Sequence, residues 1–333
     1  MIGRPVRTVV AVTGLLLVAA CSGGDPAASS SPESSSTPNP SSQTWSPGTA
    51  VPSKASSTAP SKPPSAPPKS TTPGKRATPR PTAVGNGTIP VIPNKPPKTT
   101  KRWAPARGTA WQWQLSGSLN LSVNAPVYDV DGVDTSAAQV AELHKRGRRV
   151  ICYVDVGTYE KGRPDSGRFP ASVRGKGVEG WPGEQWLDIR RRNVLGPIMA
   201  ARFDQCRAKG FDAVEPDNVD GYANDSGFPL TAADQLSYNR WIAGLAHSRG
   251  MSVGLKNDLG QVSQLVSAFD FAVNEQCAQF NECEALVPFI RAGKAVLHVE
   301  YELGTGAFCA ETRKYGFSSM RKPEDLGAAR EPC

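Results

Sequence analysis

The segment FDAVEPDNVDGY, residues 211–222, carries four carboxylates within twelve residues. Acids this close repel one another and cost free energy to desolvate, so their clustering suggests a chemical use. Side chains alternate along a strand, which puts Glu215 and Asp217 on one face. Pro216 cannot donate to a sheet ladder and is expected to end the strand, leaving Asp217 at the strand's end and Glu215 one layer deeper. Asp217 is therefore the acid best placed to react.

Acidic side chains also stand at the carboxyl ends of other predicted strands: Asp129, Asp131, Asp155, Asp258, Glu275 and Glu300. Such acids can cap helices, but six strand ends in succession favour one shared site. Aromatic side chains on which sugars could stack lie close to the same strands: Trp111, Trp113, Tyr128, Tyr153, Tyr159, Tyr222 and Tyr301. Two facing carboxylates beside aromatics indicate glycoside hydrolysis, in which one acid attacks or activates water and the other protonates the leaving oxygen. An acidic site favours a cationic or neutral substrate, such as an amino sugar.

The elements that must position these acids alternate between strand and helix patterns. Eight segments read as strands: TAWQWQL, APVYDVDG, RVICYVDVG, FDAVEPD, MSVGLKND, FDFAVNEQC, AVLHVEY and YGFSSMRK. Helical periods separate most of them, although the first, SGSLNLSVN, is short and polar. The helices are expected to begin at Thr135 and Thr231 and to end at glycines: Gly147, Gly210, Gly250 and Gly293.

This alternation predicts an α/β fold, a (β/α)8 TIM barrel over residues 103–333, whose strand ends converge on one mouth. A doubly wound open sheet is the main competitor, but no GxGxxG motif follows any strand.

Six motifs, in this order, resemble the glycoside hydrolase family 114 domain: YDVDGVD, CYVDVGTYE, FDAVEPDNVDGY, GLKND, FAVNEQC and LHVEY. The similarity covers about residues 104–320. The resemblance implies a (β/α)8 barrel that cuts α-1,4-linked, partly de-N-acetylated galactosamine polymers. Matched by motif, it implies that Asp217 is the nucleophile and Glu275 the acid/base of a retaining reaction.

The other polar strand-end residues are expected to surround the substrate. Asp131, Asp155 and Glu300 could bind the amines or hydroxyls of a galactosamine unit, and Glu215 could orient Asp217. The complete set of expected substrate-binding residues is Asp131, Tyr153, Asp155, Glu215, Asn218, Lys256, Glu300 and Trp113. Lys256 has two readings of equal weight, either lowering the pKa of a nucleophilic carboxylate or forming a structural ion pair.

The N-terminus indicates export. A basic start, an apolar run too short for a comfortable span and the sequence VAAC predict a lipoprotein signal peptide over residues 1–20. Cys21 would then carry a lipid that holds the protein at the extracellular face of the cell membrane; an ordinary secretory signal is the alternative. Residues 21–102 continue as a Ser/Pro/Thr-rich segment, which we expect to be a disordered tether.

The formal charge of +8 belongs to this N-terminal part. Residues 1–102 hold 12 of the 38 Lys and Arg but only 2 of the 30 Asp and Glu, which leaves the remainder at −2. Nucleic-acid binding therefore loses its main support. We expect an aminosugar polysaccharide as the partner and a monomeric protein.

Six cysteines follow Cys21, and an exported protein is expected to oxidise them. Six cysteines allow 15 connectivities; we favour the pairs Cys152–Cys206, Cys277–Cys283 and Cys309–Cys333. No CxxC or His-rich cluster suggests a metal, and we expect no cofactor. This weighs against a metal-dependent deacetylase, and leaves a non-catalytic binder of a cationic glycan as the alternative to the hydrolase.

Overall fold

The computed structural model describes residues 102–333, in which a nine-stranded sheet curls around a central core. Eight strands are parallel neighbours in chain order and confirm all eight predicted strand segments; β12 pairs antiparallel with β11. The sheet strands are β1 (Trp111–Gln114), β2 (Val127–Asp131), β3 (Arg149–Asp155), β7 (Ala213–Asp217), β8 (Ser252–Lys256), β9 (Phe271–Glu275), β10 (Val296–Glu300), β11 (Ser318–Arg321) and β12 (Glu331–Pro332).

The C-terminal segment closes the seam between β1 and β11. The Trp111 indole N–H donates to the Ser318 carbonyl across this seam at 2.9 Å. The backbone N–H groups of Leu115 and Ser116 donate to the carbonyl of Leu326, at 2.9 and 3.3 Å. The sheet thus forms an α/β barrel in which side chains and the chain terminus complete the wall.

Helices cover the outside of the barrel: α1 (Ala137–Lys145), α2 (Arg192–Lys209), α3 (Ala232–Ser248), α4 (Val262–Leu265), α5 (Val287–Arg291) and α6 (Thr305–Tyr315). Short 3-10 turns lie at Ser166–Arg168, Ala171–Val173, Gly221–Ala223, Leu259–Gln261 and Cys283–Leu286. The polar segment after β1 forms no helix, and α6 was not predicted. Thr231 caps α3 as expected, but Ser136 rather than Thr135 caps α1, because its side chain accepts the Gln139 N–H.

Strand register places the inward side chains in layers of four from alternate strands, as in other α/β barrels. We call one layer the acid layer: Asp129, Glu215, Val273 and Met320. The layer above it, nearer the strands' carboxyl ends, is the lysine layer: Trp113, Tyr153, Lys256 and Val299. The layers beneath both are mainly apolar and include Trp111, Ile151 and Phe271. Polarity therefore rises toward the carboxyl ends of the strands, where Asp217 and Glu275 end β7 and β9.

A small antiparallel sheet is inserted between β3 and α2. Its strands, in spatial order, are β4 (Thr158–Glu160), β6 (Trp181–Leu187) and β5 (Arg174–Val178). The hairpin joining β5 to β6 turns at Gly180, whose φ of 81° suits glycine, and presents an exposed Trp181. The predicted strand and helix patterns contained no element here.

The three expected cysteine pairs are all joined. Cys152–Cys206 ties β3 to α2, Cys277–Cys283 closes the loop after β9, and Cys309–Cys333 ties α6 to the C-terminus. The signal peptide, Cys21 and the tether lie outside the described residues. Within residues 102–333, no helix combines the length and apolarity needed to cross a membrane.

A glycine in β8 makes room for an aromatic ring of the barrel core. A Cβ added at Gly254 would lie 2.5 Å from Cε2 of Phe271. We expect Gly254→Ala to lower the free energy of unfolding by about 1–3 kcal/mol through overpacking. The matched control is Gly244→Ala in α3, where an added Cβ meets nothing within 4 Å; it is expected to raise stability by up to about 1 kcal/mol. Urea denaturation of both variants measures the difference, and equal stabilities would contradict this packing.

Candidate active site

A cavity of about 350 Å3 opens at the carboxyl ends of the barrel strands, and we call it the cleft. Eight of its lining residues are acids: Asp131, Glu160, Glu179, Glu184, Asp217, Glu275, Glu324 and Asp325. Two lining residues, Arg163 and Lys256, are cations. The small inserted sheet contributes Glu160, Glu184 and the exposed Trp181, so the cleft is walled by both sheets.

Lys256 lies at the centre of these acids. Its Nζ is 3.0 Å from Asp217 Oδ1, 3.1 Å from Glu275 Oε2 and 3.6 Å from Glu215 Oε1. The ammonium also lies 4.9 Å from the centroid of the Trp113 ring, a cation–π arrangement. Burial disfavours the charged form, but the carboxylates outweigh it and raise the pKa of Lys256 well above its ordinary value. A permanent positive charge therefore joins the two predicted catalytic acids.

Asp217 is held as a carboxylate. Burial acts to raise its pKa, but the Lys256 charge, the Tyr153 hydroxyl and the Asn218 backbone N–H together bring the pKa below its ordinary value. The Tyr153 hydroxyl donates to Oδ2 and the Asn218 N–H to Oδ1, each at 2.8 Å. Asn218 adopts φ of 58°, a conformation that Asn tolerates better than most residues. An ionised, well-held Asp217 suits the role of nucleophile.

Glu275 is held by a different set of groups. The Asn257 amide donates to Oε2 at 3.0 Å, and the Tyr301 hydroxyl donates to Oε1. Asn257 Oδ1 also accepts the Glu275 backbone N–H at 3.0 Å. Asn257 has φ of 48°, a turn that brings its amide against the end of β9. About a quarter of the Glu275 side chain stays exposed, so it can meet a substrate in the cleft.

The remaining predicted site residues separate into cleft and supporting positions. Trp113, Asp131, Tyr153, Asn218 and Lys256 line the cleft. Asp131 is already engaged, because it accepts the Val133 and Asp134 N–H groups and pairs with Arg163 at 2.8 Å. Glu215 is wholly buried one layer below Asp217, as predicted, although β7 continues through Pro216 and ends at Asp217 rather than at the proline.

Three expected substrate-binding acids, Asp155, Glu215 and Glu300, do not reach the cleft, and these expectations are corrected. Asp155 is buried by bonds from the Thr158 hydroxyl and the Asn218 amide, so it supports the loops after β3 and β7. Glu300 has no exposed surface and accepts the N–H of Ala278 and a ring nitrogen contact from His298.

The Glu300 error is one of strand face. His298 and Glu300 point outward toward the helices, where His298 packs on Phe308 of α6. The inward face of β10 instead leads to Tyr301, which contacts Glu275. Alternation along a strand puts His298 and Glu300 on one face of β10 but does not say which face is inside. His298 also lies near Cys277 and Cys283, but the disulfide leaves those sulfurs no thiolate to offer a metal.

Sequence reasoning assigned no role to Asn257 or to the glutamates of the inserted sheet. Asn257 follows Lys256 in GLKND, and only its left-handed backbone turns its amide toward Glu275. Glu184 lies 24 residues beyond Glu160 and reaches the cleft through the pairing of β4 with β6. The alternating segment around GWPGEQW, bounded by glycines, was the available signal for this hairpin.

A larger cavity, about 660 Å3, lies at the opposite ends of the strands. Arg107, Arg313, Lys314 and Arg330 line it, and no Asp or Glu side chain does. Its size alone would favour this cavity as the active site, but glycoside hydrolysis needs carboxyl groups, and these line the cleft instead.

Removal of the central cation tests the electrostatics of the cleft. We expect Lys256→Met to lower the free energy of unfolding at pH 8 by about 3–5 kcal/mol, because buried carboxylates lose their counter-charge. Without the ammonium, the three acids that contact Lys256 would have raised pKa values in the folded protein. They would therefore bind protons on folding at lower pH, which stabilises the folded state there. The loss is therefore expected to be smaller at pH 5 than at pH 8.

The matched control is Lys176→Met, which removes an exposed ion pair with Asp225 and is expected to change stability by less than about 0.5 kcal/mol. Urea denaturation at both pH values measures the two variants. A Lys256→Met loss that does not depend on pH would contradict the electrostatic account.

Comparisons with known proteins agree with this site. The sequence model of glycoside-hydrolase family GH114 matches residues 93–333. The crystal structure of Aspergillus fumigatus Ega3 in complex with galactosamine is 42% identical, with a TM-score of 0.67, covering 69% of this chain and 97% of that chain. The glycoside hydrolase domain of Pseudomonas aeruginosa PelA shares the fold at 12% identity, with a TM-score of 0.54, covering 66% of this chain and 97% of that chain. A comparison with curated proteins finds no match. The chain is a glycosidase and belongs to glycoside-hydrolase family GH114.

Proposed function

We propose that this glycosidase cleaves α-1,4-linked, galactosamine-containing polysaccharide within the chain, using Asp217 and Glu275. The observation that carries the proposal is the pair of carboxylates joined by Lys256 at the floor of an acidic cleft. The similarity to Ega3, whose structure holds galactosamine, supports the choice of sugar.

The charge of the cleft fits a cationic glycan. Free amino groups of galactosamine carry positive charge, and the cleft presents eight acids against two cations. Burial and the neighbouring Glu160 raise the pKa of Glu184 to about 7, so its charge strengthens near neutral pH. An ammonium entering beside it would favour its ionised form, which is the complementary charge.

The separation of the two carboxylates favours retention of configuration. Because Lys256 Nζ touches both groups, the two oxygens that face it, Asp217 Oδ1 and Glu275 Oε2, are at most about 6.1 Å apart, the sum of the two contact distances. This bound on one oxygen pair supports a short separation of the carboxyl groups. Retaining glycosidases hold their carboxyl groups roughly 5–5.5 Å apart, whereas inverting ones need roughly 6.5–9.5 Å to admit a water.

The reaction would then run in two displacements. Glu275, a carboxylate beside Lys256 in the free protein, must bind a proton before the first step. An Asp217 oxygen then bonds to the anomeric carbon as the glycosidic C–O bond breaks, and Glu275 gives its proton to the leaving oxygen. Glu275, now a carboxylate, next takes a proton from water. The water oxygen attacks the anomeric carbon and the bond to Asp217 breaks, which restores both acids. Lys256 and Tyr153 stabilise the Asp217 carboxylate before attack and after release.

The two acids should be individually required. We expect Asp217→Asn and Glu275→Gln each to lower kcat on de-N-acetylated α-1,4-galactosaminan by at least about 100-fold, because each step needs both roles. Both substitutions preserve shape, so thermal melting should change little. Oligosaccharide release measures turnover, and NMR of the newly formed anomers is expected to show the α configuration first.

Asp225→Asn, at an exposed acid outside the cleft, serves as the matched control and is expected to keep full activity. If either catalytic variant kept near-full turnover, the role of that residue would be wrong. Wild-type protein that binds the polymer but releases no product would instead favour the non-catalytic binder. A β product formed first would show inversion.

We also propose that the protein is exported and held at the extracellular face of the membrane by a lipid on Cys21. The support is the VAAC sequence after a short apolar run and the long Ser/Pro/Thr-rich segment before the barrel. We expect the folded part to act as a monomer.

Cys21→Ala tests the anchor. It is expected to move the full-length protein from the membrane fraction to the medium or the soluble fraction, because the attachment site for lipid is lost. The matched control is Ser22→Ala, which leaves the cysteine in place. Membrane retention of the Cys21 variant, measured by fractionation and immunoblotting, would rule out the lipid anchor.

A further inference from the structure

Two fully buried acids lie directly beneath the catalytic pair. Asp129 of β2 and Glu215 of β7 belong to the acid layer, where register brings alternate strands to one level. The other two members of that layer, Val273 and Met320, are apolar. Neither acid reaches the cleft, so substrate contact does not account for them.

These two acids have only each other as hydrogen-bond partners. No N–H or O–H group of the described residues donates to any of their four carboxyl oxygens. The two carboxyl groups face one another closely enough for a hydrogen bond if one of them is protonated. Two carboxylates cannot form such a bond, because an ionised carboxylate only accepts. A proton on one of the two would therefore supply the donor that both groups otherwise lack.

The charges around Asp129 and Glu215 also favour a state in which only one of the two acids is ionised. Lys256 Nζ lies 3.6 Å from Glu215 Oε1. It is closer to Asp217 Oδ1, at 3.0 Å, and to Glu275 Oε2, at 3.1 Å. Tyr301 also lies near Glu215 and stays neutral, because burial and the neighbouring acids raise its pKa well above the ordinary value. A single ammonium cannot compensate four neighbouring carboxylates of which Asp129 and Glu215 are wholly buried, since each uncompensated buried ion costs several kcal/mol.

We propose that Asp129 and Glu215 share one proton and act as a single anion that positions Lys256 between Asp217 and Glu275. Asp129 is the acid that keeps the proton, and Glu215 carries the negative charge facing Lys256. The charge of the pair thereby determines how strongly Lys256 stabilises the Asp217 carboxylate.

Two features support this assignment of the proton. Burial, with Glu215 beside it, raises the pKa of Asp129 well above its ordinary value. Burial also raises the pKa of Glu215, to about 7, but Lys256 and the hydrogen bond from Asp129 oppose that rise. The acid nearer the ammonium is the one that ionises.

The test compares variants that keep or remove the charge of the pair. Glu215→Gln removes the negative charge of the pair. The Asp217 carboxylate then loses a repelling neighbour and is stabilised more strongly by the Lys256 ammonium. The acid limb of kcat/KM, which reports ionisation of the nucleophile, is expected to move down by about one pH unit. Asp129→Leu deprives Glu215 of its donor, so Glu215 takes the proton itself, and the limb is expected to shift in the same direction.

Asp129→Asn supplies a permanent N–H donor in place of the proton and leaves Glu215 charged. We expect Asp129→Asn to avoid the shift predicted for Asp129→Leu. The acid limb of kcat/KM should stay at the wild-type pH, and kcat should be within about twofold of wild type. Met320→Leu, which alters an apolar member of the same layer, is the matched control and is expected to leave the limb unmoved. A Glu215→Gln limb at the wild-type pH, or an Asp129→Asn limb that shifts with Asp129→Leu, would overturn the proposal.

The kinetic readout rests on the proposed hydrolase function, whereas infrared spectroscopy does not. At pH 8, without substrate, wild-type protein is expected to show a C=O stretch of a protonated carboxylic acid that is missing in Asp129→Asn. Identical spectra in this region would mean that Asp129 is ionised and would overturn the proposal whatever the enzyme's substrate. If Asp129→Leu fails to fold, the Asp129→Asn and Glu215→Gln comparison is sufficient.

Discussion

The buried ammonium of Lys256 is the interaction on which the site depends. Burying an ion costs several kcal/mol unless partners compensate it, and three carboxylates within 3.6 Å provide that compensation. The dependence is mutual, because Glu215, Asp217 and Glu275 could not remain crowded without a cation among them. The same contacts that hold the acids together keep Asp217 ionised and ready to attack.

The barrel provides a graded interior for this cluster. Its lower layers are mainly apolar, the acid layer mixes two acids with two apolar side chains, and the lysine layer supports the mouth. Such a gradient lets the apolar layers stabilise the fold while the strand ends carry the chemistry. The inserted sheet then adds Glu160, Glu184 and Trp181 to one wall, which extends the cleft beyond the barrel itself.

Strand positions were predictable because inward-facing apolar runs ending in polar residues mark barrel strands. Which face of a strand points into the barrel was less predictable, as β10 shows. Its alternation was recognised correctly, but hydrophobic residues occupy both faces of a strand that packs against core and helices. His298 and Glu300 therefore point to the helix layer, and Tyr301 reaches Glu275. The β4–β6 insertion was missed because its short, Gly-rich strands are stabilised by pairing with each other rather than by a long apolar pattern.

By itself, the sequence determined the barrel class and the separation of Asp217 from Glu215, because side-chain alternation along a strand is a local property. Among the 15 possible cysteine connectivities it favoured the three pairs that the structure joins. Its family motifs also singled out Glu275, which lies 58 residues from Asp217. Only the tertiary structure decided that Lys256 joins these two acids and that Asp129 meets Glu215 beneath them. Those contacts depend on strand register and on which face is inward, and both are set by packing across the whole barrel rather than by neighbours in the chain.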